Sequence, residues 1–442
     1  MEKTTFSFPK GFLWGTATSS HQVEGNNTNN NWYVWENTAG KICEGAKSGL
    51  ACDWWGGRWK EDLKNAADDS QNAHRLSIEW SRIEPQPDTW DQGALNNYRE
   101  ILKGMRKMGL TPMVTLHHFT DPLWVTELGG WENDKTPQYF AEFVRRAVKA
   151  LKDYVKLWVT INEPAVYTVS GYLMGIFPPG KSDLGLAFQV MHNLIRGHSR
   201  AYHIIHELQP DAIVGIAKNY RPMAPARPWF PPDHWIANFI SGNYNNAFNR
   251  ALKDGKFNFA LKRAFIPEAA GTQDFIGINY YSQDLVVFKP LAFKDILHRR
   301  RYLDNAELSE TGFIANIPIG IYKSLQWASC FKLPIYITEN GIEDSQDVLR
   351  PRYLVEHIHQ VWRGIKTGWD IRGYFHWSQV DNFEWERGWT QRFGLWGLNV
   401  DTQERIRRKS VDVYAAICKQ NGISPGTVKK YTPGLTDKLF HS

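Results

Sequence analysis

Several absences limit this chain before any motif is read. No apolar run in its 442 residues is long enough to cross a bilayer. The N-terminus, Met1-Glu2-Lys3-Thr4, leads into a strand-like run with no apolar leader, so a cytoplasmic protein without a membrane partner is expected. Cysteine is scarce. Of the four, at 43, 52, 330 and 418, only the first two are close enough in sequence to invite a bridge, and free thiols are the expectation. Asn26-Asn27-Thr28 fits the glycosylation pattern, but without a secretion signal it reads as coincidence. There is no His-Glu-x-x-His, and His203/His206 and His357/His359 lack carboxylates or thiols at ligand spacing, so neither metal nor other cofactor is expected. A Gly-x-Ser-x-Gly elbow for an acyl-transfer serine is also missing. The net charge of +6 is scattered, apart from His298-Arg299-Arg300-Arg301, which reads as a solvated loop; nucleic acid is not an expected partner.

What the chain does have is aromatic surface and a rhythm. Twenty Trp and 18 Tyr exceed what an ordinary core needs, and their flat faces serve either core bulk or stacking on rings of a ligand. Eight short β-branched or aromatic runs recur, at residues 12–16, 75–79, 112–117, 157–161, 213–217, 275–279, 334–338 and 373–377. Between them lie stretches such as 96–107 and 137–151, with apolar residues three and four apart as a helix face demands. Alternating strands and helices predict a parallel sheet, and eight repeats predict its closure into a single-domain (β/α)8 TIM barrel. An open doubly wound sheet would carry a Gly-rich dinucleotide turn after its first strand, and none is present. Residues 175–182 match the phosphate-loop pattern letter for letter. Pro178 and Pro179 remove two of the backbone N–H groups such a cradle uses, and the segment follows a helical stretch, so a rigid loop is expected.

Two segments carry the chemistry. Thr160-Ile161-Asn162-Glu163-Pro164 and Ile337-Thr338-Glu339-Asn340-Gly341 each place a carboxylate where an apolar strand gives way to a loop. In a barrel, residues just past the strands converge on one mouth. They are Gln22, Arg75, His118, Asn162 with Glu163, Asn279 with Tyr281, Glu339, and Trp377. Amides, imidazole and carboxylates can hold sugar hydroxyls, an indole gives a flat floor, and a guanidinium can keep a carboxylate ionised. Two carboxylates facing one cavity are what cleavage of a glycosidic bond requires.

The order of these motifs resembles glycoside hydrolase family 1, the β-glucosidase family, over about residues 6–422. The resemblance is carried by His21-Gln22-Val23-Glu24-Gly25, by Arg75-Leu76-Ser77-Ile78-Glu79-Trp80, and by Thr115-Leu116-His117-His118. It is also carried by both Glu segments, by Asn279-Tyr280-Tyr281, and by the block 377–393 with Asp381-Asn382-Phe383-Glu384-Trp385. It implies that Glu163 is the acid/base and Glu339 the nucleophile of a double displacement that retains anomeric configuration, with Arg75 and Tyr281 holding Glu339 ionised. Gln22, His118, Asn162, Glu384 and Trp385 would bind the glycone, Trp377 would floor the junction with the aglycone, and Phe119 and Asn279 would complete the pocket. The substrates implied are small β-glycosides or short oligosaccharides, glucosides first, with fucosides and galactosides as further candidates. Glu384 would repel a 6-phosphate, and an intact Glu163 argues against the thioglucosidases that carry Gln there.

Three positions depart from the family pattern. Phe119 replaces a usual Trp, Gln379-Val380 replaces a more apolar pair, and Trp389 replaces a usual Tyr; the first puts the preferred sugar in question. Transglycosylation by the same site is the nearest alternative, and a sugar-binding protein without turnover is a remote one. Residues 1–422 are read as the catalytic barrel and 423–442 as an extension, packed or disordered. Residues 288–309 are candidates for one wall of the mouth, and the number of subunits is left open.

Overall fold

The computed structural model describes residues 5–292 and 297–440. Eight strands hydrogen-bond side by side and close on themselves: β1 (Leu13–Ala17), β2 (Ala73–Ser77), β3 (Thr111–His117), β4 (Leu157–Asn162), β5 (Ile213–Asn219), β6 (Phe275–Tyr280), β7 (Ile335–Asn340) and β8 (Ile371–Trp377). Every pairing around the ring is parallel, including the closure of β8 on β1. A helix returns the chain after each strand: α1 (Trp59–Asp68), α2 (Gln92–Lys107), α3 (Thr136–Leu151), α4 (Leu184–Leu208), α5 (Ala247–Asp254), α6 (Pro318–Ser329), α7 (Arg350–Lys366) and α8 (Lys409–Gln420). The expected barrel is what the chain forms.

Local signals explain the element ends. α2 begins four residues before the predicted 96 because the Asp91 carboxylate accepts the Ala94 N–H at 3.0 Å, satisfying an orphan donor of the first turn. Asp183 caps α4 on Leu186 in the same way, at 2.8 Å. Inside the ring, Met113, Val159, Phe275, Tyr336 and Phe375 fill the barrel as a packed core. Gly215 makes room for one of these rings, since a Cβ there would lie 2.6 Å from the Phe275 carbonyl oxygen and 2.9 Å from its ring.

Three expectations change. Strand β2 spans 73–77 and not 75–79, because the chain leaves the sheet after Ser77 and turns into the short helix Trp80–Ile83. Arg75 is therefore mid-strand, inside the barrel, and not at its rim. His298–Arg301 is solvated as expected but is a strand, paired antiparallel with Asp284–Phe288, which pairs parallel with Met223–Pro225. This three-stranded sheet is built from chain that follows β5 and β6, and it includes described parts of 288–309; residues 293–296 lie outside the described residues. The phosphate-loop look-alike follows the helix Pro164–Tyr172, and its Lys181 pairs with the Glu132 carboxylate at 2.6 Å.

The described end of the chain is packed. Phe6–Ser7 pairs antiparallel with Gly422–Ile423, Ser424 caps the helix Pro425–Tyr431, and Phe440 stacks on Phe6 with ring centres 4.7 Å apart. All four cysteines are free thiols. Among the described residues, no helix is long and apolar enough to cross a membrane, and no group of three or more His, Cys, Asp or Glu side chains could hold a metal ion. Most tryptophans belong to the core, with Trp14, Trp32, Trp54, Trp80, Trp131 and Trp158 fully buried.

Candidate active site

At the C-terminal rim of the barrel, Glu163 follows β4 directly, in a left-handed conformation (φ 46°, ψ 57°) ahead of Pro164, which opens the next helix. Phe119 and Trp385 share that unusual backbone, with φ of 70° and 47°. A non-glycine residue held this way costs roughly 1–3 kcal/mol and persists where surrounding structure enforces it, commonly at functional sites. Glu163 is 6% exposed, and its Oε1 accepts two amide N–H bonds, from Asn279 at 2.8 Å and Asn219 at 3.0 Å. Burial, with the Glu339 charge added, pushes its carboxyl up to about 7.

Glu339, near the end of β7, has different company. The Arg75 guanidinium reaches its Oε1 at 2.6 Å and the Tyr281 hydroxyl its Oε2 at 2.6 Å. Burial raises this carboxyl too, but Arg75 and Tyr281 oppose the rise, both bonding the ionised form. Arg75 is fully buried and fixed at every nitrogen, by Thr115 Oγ1 at 3.1 Å, the Thr338 carbonyl at 3.2 Å and Asn162 Oδ1 at 2.7 Å. Gly341, two residues on, is obligatory: a Cβ would sit 2.0 Å from the Trp377 carbonyl oxygen at the end of β8.

Because Arg75 can only donate, Asn162 must turn its oxygen to it and its nitrogen to His118, whose Nε2 lies 3.0 Å away. Burial, with Arg75 and His117 nearby, drives the His118 pKa well down, so the ring is neutral with its hydrogen on Nδ1. Among the described residues, that buried Nδ1 has no hydrogen-bond partner. Trp385 stacks at 24° against His118 with ring centres 5.9 Å apart, and Phe119 meets Trp385 edge-on at 5.1 Å. Trp377 lies 6.1 Å from His118 on another side. Gln22, in the short helix Ser20–Val23, donates to Asn382 Oδ1 at 3.0 Å, to the Phe383 carbonyl at 2.8 Å and to Glu384 at 3.3 Å. Burial, then the charges of Glu386 and Glu339, raise the Glu384 pKa well above the carboxylate range.

Eleven of the twelve residues singled out in the sequence thus gather at one rim, and Arg75 reaches Glu339 there from inside the barrel, though not all take the expected posture. Asn279 donates to both Glu163 and Asn162 (2.8 and 3.1 Å) and accepts from Thr338 at 2.6 Å, so its amide holds the Glu163 carboxyl in place and is turned away from solvent. Of the three departures, Phe119 lines the aromatic wall. Gln379 is buried behind the barrel, accepting from Thr16 and Gln71 at 2.9 and 3.0 Å, and Trp389 donates to the Lys47 carbonyl at 2.9 Å. Sequence reasoning missed Asn219, Lys218 and Tyr244. The fifth apolar run stops at 217, but the polar pair Lys218-Asn219 closes β5 much as Asn162 closes β4 ahead of Glu163, and that parallel is the available signal.

The model of glycosyl hydrolase family 1 matches residues 4–423. The chain belongs to glycosyl hydrolase family 1. β-Glucosidase A of Thermotoga maritima is 34% identical, over 94% of this chain and 98% of its own length. A β-galactosidase of Pyrococcus woesei is 30% identical, over 94% and 98%. Among solved structures, the β-glycosidase of Pyrococcus horikoshii superposes with a TM-score of 0.90 at 36% identity, covering 97% of this chain and 98% of the other. As a family 1 member the protein is a glycoside hydrolase of the β-glycosidase kind, built on the (β/α)8 barrel described above.

Proposed function

We propose that this family 1 enzyme removes a terminal, non-reducing β-linked sugar, glucose first, by double displacement with retention of configuration. The observation that carries the reading is the unlike company of the two carboxylates. Glu339, clamped by a guanidinium and a phenol, is held ready to attack the anomeric carbon. Glu163, buried and lifted to about 7 with no cation bonded to it, keeps a proton for the leaving oxygen and takes one from water in the second step. Retention requires carboxyl groups about 5–5.5 Å apart, close enough for a covalent glycosyl intermediate.

Gln22, His118, Asn162, Glu384 and Trp385 then surround the glycone, with Trp377 flooring its junction with the aglycone and Phe119 in the aromatic wall. The free Nδ1–H of His118 supplies a donor for a sugar hydroxyl. Burial, with the charges of Glu386 and Glu339, keeps Glu384 protonated, so contrary to the expectation from sequence it repels no 6-phosphate by its own charge, but it offers a donor to a free sugar hydroxyl and no cation to a phosphate. Relatives named for glucosides and for galactosides share this architecture, and small β-glycosides are the expected substrates. The deciding experiment follows the first-formed product of an aryl β-glucoside by NMR. A β-configured hemiacetal supports retention, and an α-configured one rejects it; a panel of aryl glycosides differing in one hydroxyl then ranks the sugars.

A further inference from the structure

Two amides, backed by a buried lysine, stand behind Glu163. Asn279 has only one available orientation. Its amide group faces Asn162 Oδ1 at 3.1 Å, an oxygen already committed to Arg75, so it must present nitrogen there, and the same nitrogen reaches Glu163 Oε1 at 2.8 Å. Asn219 supplies a second N–H to that oxygen at 3.0 Å, with its own oxygen accepting from the Tyr244 hydroxyl at 2.9 Å. Tyr244 lies in a widened helical turn, Gly242–Asn246, of the kind that concentrates at functional sites. Lys218, the residue before Asn219, ties this turn to β5: its buried amino group donates to the Asn219 carbonyl at 2.8 Å and the Tyr244 carbonyl at 2.7 Å, and lies 4.9 Å from the Tyr244 ring centre. Among the described residues nothing bonds Glu163 Oε2.

From this we infer that Asn219, set by Tyr244 and Lys218, is a positioning residue that together with Asn279 reserves the proton of Glu163 for Oε2. An oxygen that accepts two amide hydrogens cannot also carry one without placing three hydrogens around it, so the acid proton sits on the other oxygen. The inference rests on Glu163 being the acid. In the first step the Oε2 proton moves to the glycosidic oxygen as its bond to the anomeric carbon breaks. The bonding pair stays with that oxygen, and Glu339 supplies the pair for the new bond to carbon. An acid free to protonate on Oε1 would hold its proton turned back toward the barrel wall for part of the time.

Proton delivery matters for a poor leaving group and hardly at all for dinitrophenolate, which departs unaided; a purely structural role would touch both alike. The test measures kcat/KM for dinitrophenyl and methyl β-glucosides in wild type, Asn219→Ala, Tyr244→Phe and Glu163→Gln. The ratio of the two values is expected to rise about tenfold in Asn219→Ala and about threefold in Tyr244→Phe, the range set by loss or loosening of one hydrogen bond. Tyr244→Phe removes only a hydroxyl and keeps the test alive should Asn219→Ala fail to fold. An unchanged ratio in both folded variants, alongside a raised ratio in Glu163→Gln, overturns this inference alone. An unchanged ratio in Glu163→Gln overturns the assignment of the acid on which it stands.

Discussion

The surroundings of Glu163 and of Glu339 make an instructive pair. Both carboxylates stand at the C-terminal end of a buried parallel strand of one ring, Glu163 just past β4 and Glu339 next to last in β7, and both are almost wholly removed from water. Burial alone would raise both alike. What separates them is the chemistry of the partners, permanent positive charge and a phenol on one side, neutral amides on the other. Amides orient a carboxyl group without fixing its charge, whereas a guanidinium at 2.6 Å does both. In the proposed mechanism, one environment suits an acid and the other a nucleophile, from the same side chain.

The largest test of that contrast removes its members. Glu339→Ala should lower kcat by about 10⁴-fold or more on every substrate, because the proposed mechanism assigns the covalent bond to the sugar to Glu339. Steady-state assays on aryl glycosides decide it; turnover above a tenth of wild type would place the nucleophile elsewhere. Glu163→Gln should cost about 10²- to 10⁴-fold on methyl or alkyl glycosides and much less on dinitrophenyl ones, read as kcat/KM for the two series.

Smaller effects sharpen the electrostatics. The proposed mechanism requires Glu339 ionised and Glu163 protonated, so kcat/KM should fall as pH rises past about 7, where Glu163 loses its proton. Tyr281→Phe deletes a hydroxyl bonded to the ionised form of Glu339, so its pKa should climb. The acid limb of the profile should then move to higher pH while the basic limb stays. A shift of the basic limb instead would mean that the two roles are reversed.

The smallest effect is on stability. Glu163 binds its proton more tightly folded (about 7) than unfolded (about 4.3), so its contribution is full below pH of about 4.3 and is lost as pH rises through about 7. Glu163→Gln, which cannot ionise, should match wild type below pH of about 4 and melt at a higher temperature above pH of about 8. Melting curves at the two ends of that range check it, and a constant difference across them would contradict the raised pKa.

Much of this site was legible because catalytic residues on a barrel sit at a predictable place, the C-terminal ends of strands. Glu163, Glu339, His118 and Trp377 follow from where apolar runs stop. The strand ends themselves were read short. Asn162, Asn219 and Asn340 look like loop residues by propensity. In the barrel they stay in the ladder, Asn219 opposite Asn279 and Asn340 opposite Tyr280, because buried hydrogen bonds on both sides outweigh a weak local preference. Arg75 was mislocated for a related reason. Leu76 and Ile78 alternate like a strand, but Glu79 is drawn off the sheet to accept from Ser20, Ser81 and Thr120.

By itself the sequence determined the barrel, through eight alternations of period, and the family, through the order of its motifs. It also named both carboxylates, since each stands at the end of a strand that can only be buried. Only the tertiary structure decided which neighbours each carboxylate meets. The partners of Glu163 come from β5 and β6, and those of Glu339 come from β2 and the end of β6, separated from it by 58 to 264 residues. Hydrogen bonds set by barrel closure carry no trace in local propensity, so Asn219, Tyr244 and Lys218 become visible only when the ring of strands brings them behind Glu163.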